Sequence, residues 1–234
     1  MSKIALLAFE LSGHHSSVAL ACQTAATEGE SEVVAGKHYR FHQRSSAGQR
    51  ARFLLQEVDQ LLTDAQLSRL TIGGIIAGIG PGSYTGLRIA CSAAHTLGFA
   101  LNVPFAGICS FEAAALLADA NGQSVHILQD AYRKEAYYAV ASINGNDVAI
   151  EREPEVVAME SIPAQATSPN SYLICDERLS GKLARPENAL LAPSAIGLLK
   201  IALSRGATVS GAGFDALPAA EPLYLRAAAF RPGK

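Results

Sequence analysis

Hydrophobic and polar residues along the first 60 positions predict strands before any helix. Short apolar runs of strand length are separated by turn-prone Ser and Gly residues and by an acidic stretch. Apolar residues then recur at intervals of three and four, as on one face of a helix. The pattern predicts strands over 3–9, 16–22 and 32–41, followed by a helix over 51–62.

From residue 71 onward, the pattern becomes an alternation of strands and helices, which is typical of a partly parallel sheet. A strand over 72–79 leads through a glycine-rich turn into an apolar helix. Later, Asn144-Gly145 is a strong hairpin signal. The remaining predicted elements are helices over 85–101, 111–120 and 194–204, and strands over 105–109, 124–129, 135–143, 148–157 and 172–175.

The order β-β-β-α-β-α-β-α predicts the fold class. An antiparallel meander that continues into parallel α/β units is the ribonuclease-H-like arrangement of the actin-like ATPase (ASKHA) fold, whereas a dinucleotide-binding fold alternates from its first strand. The second half restarts the same pattern with a smaller and looser set of elements. We expect an α/β protein with two such subdomains, over 1–109 and 110–234, the second reduced, and with a tail from about residue 217 able to pack back on the first.

Composition narrows the classes of function. The chain has 234 residues, of which 49% are hydrophobic, and a formal net charge of -2, so it offers no broad attraction for a polyanion. Its four cysteines are far apart, as expected for buried thiols in a reducing compartment. No secretory cleavage site follows the N-terminal apolar run, and no apolar run approaches the roughly 18–20 residues of a membrane span. We therefore expect a cytoplasmic protein without a membrane contact.

Metal and cofactor binding are not indicated. His38 and His42 are four residues apart, which on a helix would place two metal ligands on one face. They fall on a predicted strand instead, where positions four apart lie about 13 Å from each other. We expect neither a metal site nor a cofactor.

The stretch AGIGPGSYTGLR, over 77–88, is the first candidate for chemistry. It lacks the lysine of a P-loop and the G-x-S-x-G of a nucleophile elbow. Its glycines loosely resemble a dinucleotide fingerprint, with Glu112 near the position of a ribose-binding acid. Alternatively, the glycines only let a strand turn sharply into a helix, with Ser83 or Thr85 as its cap.

Glu10 ends the first predicted strand, and a turn follows it. In actin-like ATPases a carboxylate at this place helps to hold the metal of the bound nucleotide. A stand-alone nucleotide-binding enzyme is therefore one hypothesis, and a dinucleotide oxidoreductase using the glycines and Glu112 is another. The candidate nucleotide-loop residues are Glu10, Ser12, Gly80, Gly82, Ser83 and Gly86.

The helix after the glycine loop is rich in small side chains, which allow close helix packing within a domain or across a subunit boundary. An interface role and ordinary burial both remain open. The candidate interface residues are Arg88, Ala90, Ala93, Ala94 and Leu97, together with Phe53 and Leu54 of the preceding helix.

Three motifs, in order along nearly the whole chain, resemble the TsaB (YeaZ) family. The family patterns are G-P-G-S-[FY]-T-G-[LV]-R-I, D-A-R-x-x-E-V-Y and A-E-P-x-Y-L-R. Two positions depart from the family: Glu10 stands where its [IL]-D-T-[SA] opening usually has Asp, and Tyr132 replaces the Arg of the second pattern. The matching stretches are GPGSYTGLRI at 80–89, DAYRKEAY at 130–137 and AEPLYLR at 220–226.

The resemblance implies a subunit without catalytic residues, bound cofactor or metal. It implies pairing with the catalytic paralogue TsaD through the helices of the first subdomain, association with the ATPase TsaE, and a homodimer when alone. Through that complex the subunit supports transfer of a threonylcarbamoyl group to the adenosine next to the tRNA anticodon, and it meets tRNA only there. The older family label "glycoprotease" finds no support in the residues.

Overall fold

The first sheet, seen in a computed structural model, carries the predicted meander into parallel strands. The structure describes residues 4–25, 31–47, 53–118, 120, 122–145, 147–168, 171–183 and 187–226. β1 pairs antiparallel with β2 and parallel with β5, and the sheet order is β3-β4-β2-β1-β5-β6. The strands are β1 (Ala5–Glu10), β2 (His15–Gln23), β3 (Glu32–Val34), β4 (Lys37–Ala47), β5 (Ile72–Gly78) and β6 (Phe105–Ile108).

One predicted strand, over 32–41, is wrong as a single element. The chain reverses at Ala35 and Gly36, whose φ angles of 48° and 74° lie in the left-handed region. This turn divides the segment into β3 and β4, and β4 then continues to Ala47. The predicted starts of the first strand at residue 3 and of the first helix at residue 51 lie outside the described residues.

The second sheet restarts with an antiparallel meander and adds two short parallel strands. Its order is β11-β10-β7-β8-β9, with β7 and β10 parallel. The predicted hairpin at Asn144-Gly145 is confirmed, since Asn144 pairs with Asp147 across it. The strands are β7 (Ser124–Asp130), β8 (Glu135–Asn144), β9 (Asp147–Ala158), β10 (Tyr172–Cys175) and β11 (Ala189–Leu190).

The helices cover both faces of the first sheet. Successive residues of a strand point to opposite faces, and β1 is buried along its whole length. Leu7 and Phe9 pack with α1 and α2, whereas Leu6 and Ala8 belong to the cluster that contains α3 and α4. The helices are α1 (Leu54–Asp64), α2 (Tyr84–Leu101), α3 (Ser110–Leu116) and α4 (Ala195–Ser204).

α4 joins the two sheets, although it follows the second sheet in the chain. The Ala195 N–H donates to Ser17 Oγ on β2 at 3.0 Å, and Ser194 caps the helix by accepting from the Gly197 N–H. The buried cluster around α4 includes side chains from both sheets. Two meanders extended by parallel strands and covered by helices confirm the predicted α/β class. Among the described residues, no helix is both long and apolar enough to cross a membrane.

Gly197 sets the distance between α3 and α4. A Cβ at this position would lie 2.6 Å from the Ala113 carbonyl oxygen, which is backbone and has little room to move. We expect Gly197→Ala to lower the free energy of unfolding by about 1–3 kcal/mol, as overpacking of a core does. Chemical denaturation measures this. Gly13→Ala is the control, since its nearest neighbour would be 3.7 Å from the new Cβ; equal stability of the two variants would contradict the packing argument.

Candidate functional site

The glycine loop and the turn after β1 lie against each other because β1 and β5 are parallel neighbours. A Cβ on Gly82 would overlap the Ser12 carbonyl, and one on Gly86 would overlap the Leu11 carbonyl. Only glycine permits this approach of two backbones. The structure thus brings together the six nucleotide-loop candidates: Glu10, Ser12, Gly80, Gly82, Ser83 and Gly86.

Several N–H groups of the glycine loop donate to oxygen atoms of the protein itself. The Ser83 N–H donates to the Ser12 carbonyl at 2.8 Å, and the Gly80 N–H donates to Ser110 Oγ at 3.1 Å. Ser83 caps α2, since its Oγ accepts from the Gly86 N–H at 3.2 Å. A phosphate site at a helix N-terminus needs such N–H groups directed at the ligand. The N–H groups of Gly80, Ser83 and Gly86 already donate to oxygens of the protein.

Glu10 is fully buried beneath this loop. Its Oε1 accepts from the Ser12 N–H at 2.6 Å, and its carboxyl group occupies the space that a side chain at Gly78 would fill. Oε2 has no hydrogen-bond partner among the described residues. Burial raises the pKa of the Glu10 carboxyl, and the bond from the Ser12 N–H opposes this only in part. The side chain is therefore an internal group and not an exposed metal ligand.

Glu112 is an internal ion-pair partner and not a ribose-binding acid. Its two carboxyl oxygens accept from the Arg205 guanidinium at 2.6 and 3.2 Å, in the bidentate geometry typical of Arg and carboxylate. The side chain is buried. Glu112 is therefore not available to bind a ribose, as the dinucleotide hypothesis requires. The antiparallel pairing of β1 and β2 also argues against a dinucleotide-binding fold, which alternates strands and helices from its first strand. Within the described part of the chain, no group of three or more His, Cys, Asp or Glu could hold a metal ion.

The candidate interface residues divide by burial. Ala90, Ala94 and Leu54 lie in the core of the first sheet, at 0%, 0% and 6% exposure, so they are not available to a partner. This corrects the sequence-based expectation: the small side chains of α2 serve its packing on the sheet. Phe53, Ala93 and Leu97 are half-buried, and Arg88 is exposed.

Phe99 is the residue that the sequence-based selection missed. It lies on α2 outside the apolar stripe that packs on the sheet, and its side chain is 90% exposed. It borders an open groove of about 530 Å³ whose other walls include Pro104 and Phe105. Leu55 on α1 is also exposed, at 58%. We call the outer sides of α1 and α2, which carry Leu55, Arg88 and Phe99, the helical face.

The C-terminal segment 217–226 connects the three sequence motifs. The Gly107 N–H donates to the Pro218 carbonyl at 2.8 Å, and the Leu223 N–H donates to the Ile79 carbonyl at 2.7 Å. Tyr224 and Arg226 of this segment contact the two other motifs. Tyr224 stacks on Tyr84 with ring centroids 4.8 Å apart, and Arg226 donates to the Ala131 carbonyl at 2.7 Å and pairs with Glu135.

The raised pKa of Glu10 predicts a pH-dependent stability. Its carboxyl titrates at about pH 4.3 in the unfolded chain, so its contribution is fully present below that pH and is lost as the pH rises through the higher pKa of the folded state. Glu10→Gln removes this loss. We expect the unfolding free energy of the variant, relative to the wild type, to increase from about pH 5 to about pH 8. The exposed Glu153→Gln is the control; the same pH trend in both variants would contradict the prediction.

Comparisons with known proteins identify relatives of this arrangement. Two structures from Pseudomonas aeruginosa match nearly the whole chain. One, described as similar to the peptidase YeaZ, has a TM-score of 0.71 at 25% identity and covers 97% of this chain and 100% of its own. The other, YeaZ itself, has a TM-score of 0.70 at 24% identity, covers 96% and 100%, and shows the shared fold. The expected actin-like fold class is confirmed.

Curated relatives match shorter segments. An uncharacterized protein of Mycobacterium tuberculosis is 33% identical over 110 residues, which are 46% of this chain and 47% of the relative. The Bacillus subtilis tRNA threonylcarbamoyladenosine biosynthesis protein TsaB is 34% identical over 84 residues, which are 34% of this chain and 35% of that protein. The chain thus spans less than half the length of the curated relatives it matches.

The family model of TsaD, tRNA N6-adenosine threonylcarbamoyltransferase, matches residues 44–207. This segment is more than half of the chain and extends from β4 through α4. The chain therefore belongs to the TsaD family, and within that family it is a TsaB- or YeaZ-like protein.

Proposed function

We propose that this protein is a non-catalytic subunit of the machinery that makes N6-threonylcarbamoyladenosine in tRNA. The match to the TsaD family model and the similarity to the B. subtilis TsaB protein support a role in this modification. The observation that carries the subunit role is the helical face, where the 90% exposed Phe99 borders an open groove. The partner is a TsaD-like catalytic subunit in the cytoplasm, joined by a TsaE-like ATPase.

The absence of a catalytic role rests on the glycine loop. Its N–H groups at Gly80, Ser83 and Gly86 already donate to oxygens of the protein, and Glu10 is buried beneath them. A nucleotide would have to break these bonds and also displace a buried side chain. The stand-alone nucleotide-binding enzyme is thus the weaker alternative. A peptidase role has no supporting arrangement of residues in the described part of the chain.

The helical face suits a protein partner. Phe99 and Leu55 are exposed large apolar side chains on the two helices that cover the same face of the first sheet. Exposed aromatic side chains are frequent anchors of protein interfaces. Ala93 and Leu97 are half-buried on the other flank of α2, about 120–160° around the helix from Phe99, where they pack against the core. We propose that the same face binds a second copy of the chain when the partner is missing.

We also propose the division into two subdomains near residue 110, with the segment from about 217 belonging to the first. The contacts of Pro218 with Gly107 and of Leu223 with Ile79 support the second point, since both tie this segment to the first sheet. A Cβ on Gly107 would lie 2.5 Å from the Ala219 carbonyl oxygen, so the two backbones are in direct contact.

Placing a charge on the anchor tests the partner site. We expect Phe99→Asp to weaken co-purification with the TsaD-like subunit at least about tenfold, because a buried anchor would become an unpaired carboxylate in the interface. Its thermal midpoint should equal that of the wild type, since Phe99 is exposed in the free chain. Leu190→Asp, at a 48% exposed residue of the second sheet, is the matched control. Equal pairing of both variants with TsaD would refute the helical face as the interface.

Calorimetric titration with ATP and ADP tests the absence of a nucleotide site. We expect no binding tighter than about 10 μM, which corresponds to roughly -7 kcal/mol. Tighter binding would favour the nucleotide-binding enzyme. Glu10→Ala identifies the place, because binding that this change abolishes would belong to the glycine loop.

A further inference from the structure

Three exposed tyrosines follow one another along the junction of the three sequence motifs. Tyr84, Tyr224 and Tyr132 are 40%, 43% and 62% exposed. Tyr84 stacks on Tyr224, and the segment that carries Tyr224 reaches the Tyr132 turn through the bond from Arg226 to the Ala131 carbonyl. Large apolar rings that remain exposed in a row are candidates for an external ligand.

Arginine side chains accompany these rings. The Arg88 guanidinium lies 4.9 Å from the centre of the Tyr84 ring, and the Arg178 guanidinium lies 4.9 Å from the centre of the Tyr132 ring. Both arginines are exposed and form no ion pair with another described residue. We call Tyr84, Arg88, Tyr132, Arg178 and Tyr224 the aromatic rim.

The backbone under the rim is fixed. Tyr132, Arg133 and Lys134 are three consecutive residues with φ angles of 60°, 55° and 61°, a conformation that side chains other than glycine seldom adopt. Hydrogen bonds hold it: the Glu135 N–H donates to the Tyr132 carbonyl at 3.0 Å, and the Met159 N–H donates to the Lys134 carbonyl at 2.9 Å. An uncommon backbone conformation kept in place by its surroundings is a frequent feature of binding sites.

Charges around the rim are mixed. Arg133 and Lys134 follow Tyr132 in the chain and add basic groups, whereas Glu177, which precedes Arg178, and Glu221, three residues before Tyr224, are exposed acidic groups. Asp130 and Asp176 accept backbone N–H groups within their own turns. The rim therefore offers stacking surfaces and directed guanidinium groups, and no large electrostatic attraction. It suits a ligand that another subunit already holds.

We propose that the aromatic rim contacts unpaired nucleotides of an RNA. Splayed bases stack on tyrosine rings and on the planes of arginine guanidinium groups, and guanidinium groups also bind phosphate. A hydrophobic protein helix would instead need an apolar surround, which the charged neighbours do not provide. The identity of the RNA as the tRNA substrate rests on the proposed function.

A binding titration tests this with matched variants. The full chain, mixed with the TsaD-like subunit, is titrated against a fluorescently labelled tRNA anticodon-arm RNA, and anisotropy gives the affinity. We expect Tyr132→Ala and Arg178→Ala each to weaken RNA binding about five- to tenfold, a loss in the range of one stacked base. Tyr132→Phe keeps the ring and should bind as the wild type does.

Arg152→Ala is the matched control. Its guanidinium also lies 4.9 Å from the centre of a tyrosine ring, but that ring, Tyr138, is 1% exposed and cannot receive a base. This variant should bind RNA as the wild type does. Equal affinities of all variants, or an equal loss in Arg152→Ala, would overturn the proposal.

Two further outcomes separate this proposal from the proposed function. Variants of the rim that weaken assembly with the TsaD-like subunit but leave RNA binding unchanged would make the rim a protein contact and overturn the RNA proposal. If the wild-type chain does not assemble with the TsaD-like subunit, the proposed function fails. In that case the same titration, carried out with the chain alone, tests the RNA proposal. Weaker RNA binding by Tyr132→Ala and Arg178→Ala than by Arg152→Ala supports the proposal, and equal RNA binding by all three overturns it.

Discussion

The contact between two backbones at the ends of β1 and β5 is the constraint on which the other features of this molecule depend. Gly82 and Gly86 approach the Ser12 and Leu11 carbonyls more closely than any side chain would allow. This contact fixes where α2 begins and therefore which of its residues face the sheet. Phe99 on the outer side of α2, and Tyr84 at its first turn, take their positions from it. The positions of the helical face on α2 and of Tyr84 in the aromatic rim therefore depend on this contact.

The same contact explains why the loop looks like a phosphate site although three of its N–H groups donate inside the protein. A glycine-rich turn between a strand and a helix can direct its N–H groups outward to an anion. Here Ser12 and Ser110 accept from the turn, and the buried Glu10 occupies the space above Gly78. The interior of the site is filled by the protein itself, which favours a structural role.

Local patterns predicted most of the fold, and long-range contacts account for what they missed. The apolar spacing predicted α2 over 85–101, and the structure has Tyr84–Leu101. The small side chains of Ala90 and Ala94 suit a sheet and a partner helix equally, so the sequence leaves both roles open, and only the fold shows that they contact the sheet. Nothing local identified Glu112 as the partner of Arg205, which is 93 residues away. Phe99 could have been found, since it is an aromatic residue outside the apolar stripe.

Hydrogen–deuterium exchange of the chain, with and without the TsaD-like subunit, tests the central claim that the helical face is the partner site. We expect slower exchange in α1 and in the half of α2 that carries Phe99, because a partner that covers these helices suppresses their local opening. Exchange in β9, on the outer edge of the second sheet, should not change. Slower exchange in the second sheet with unchanged α1 and α2 would contradict the account.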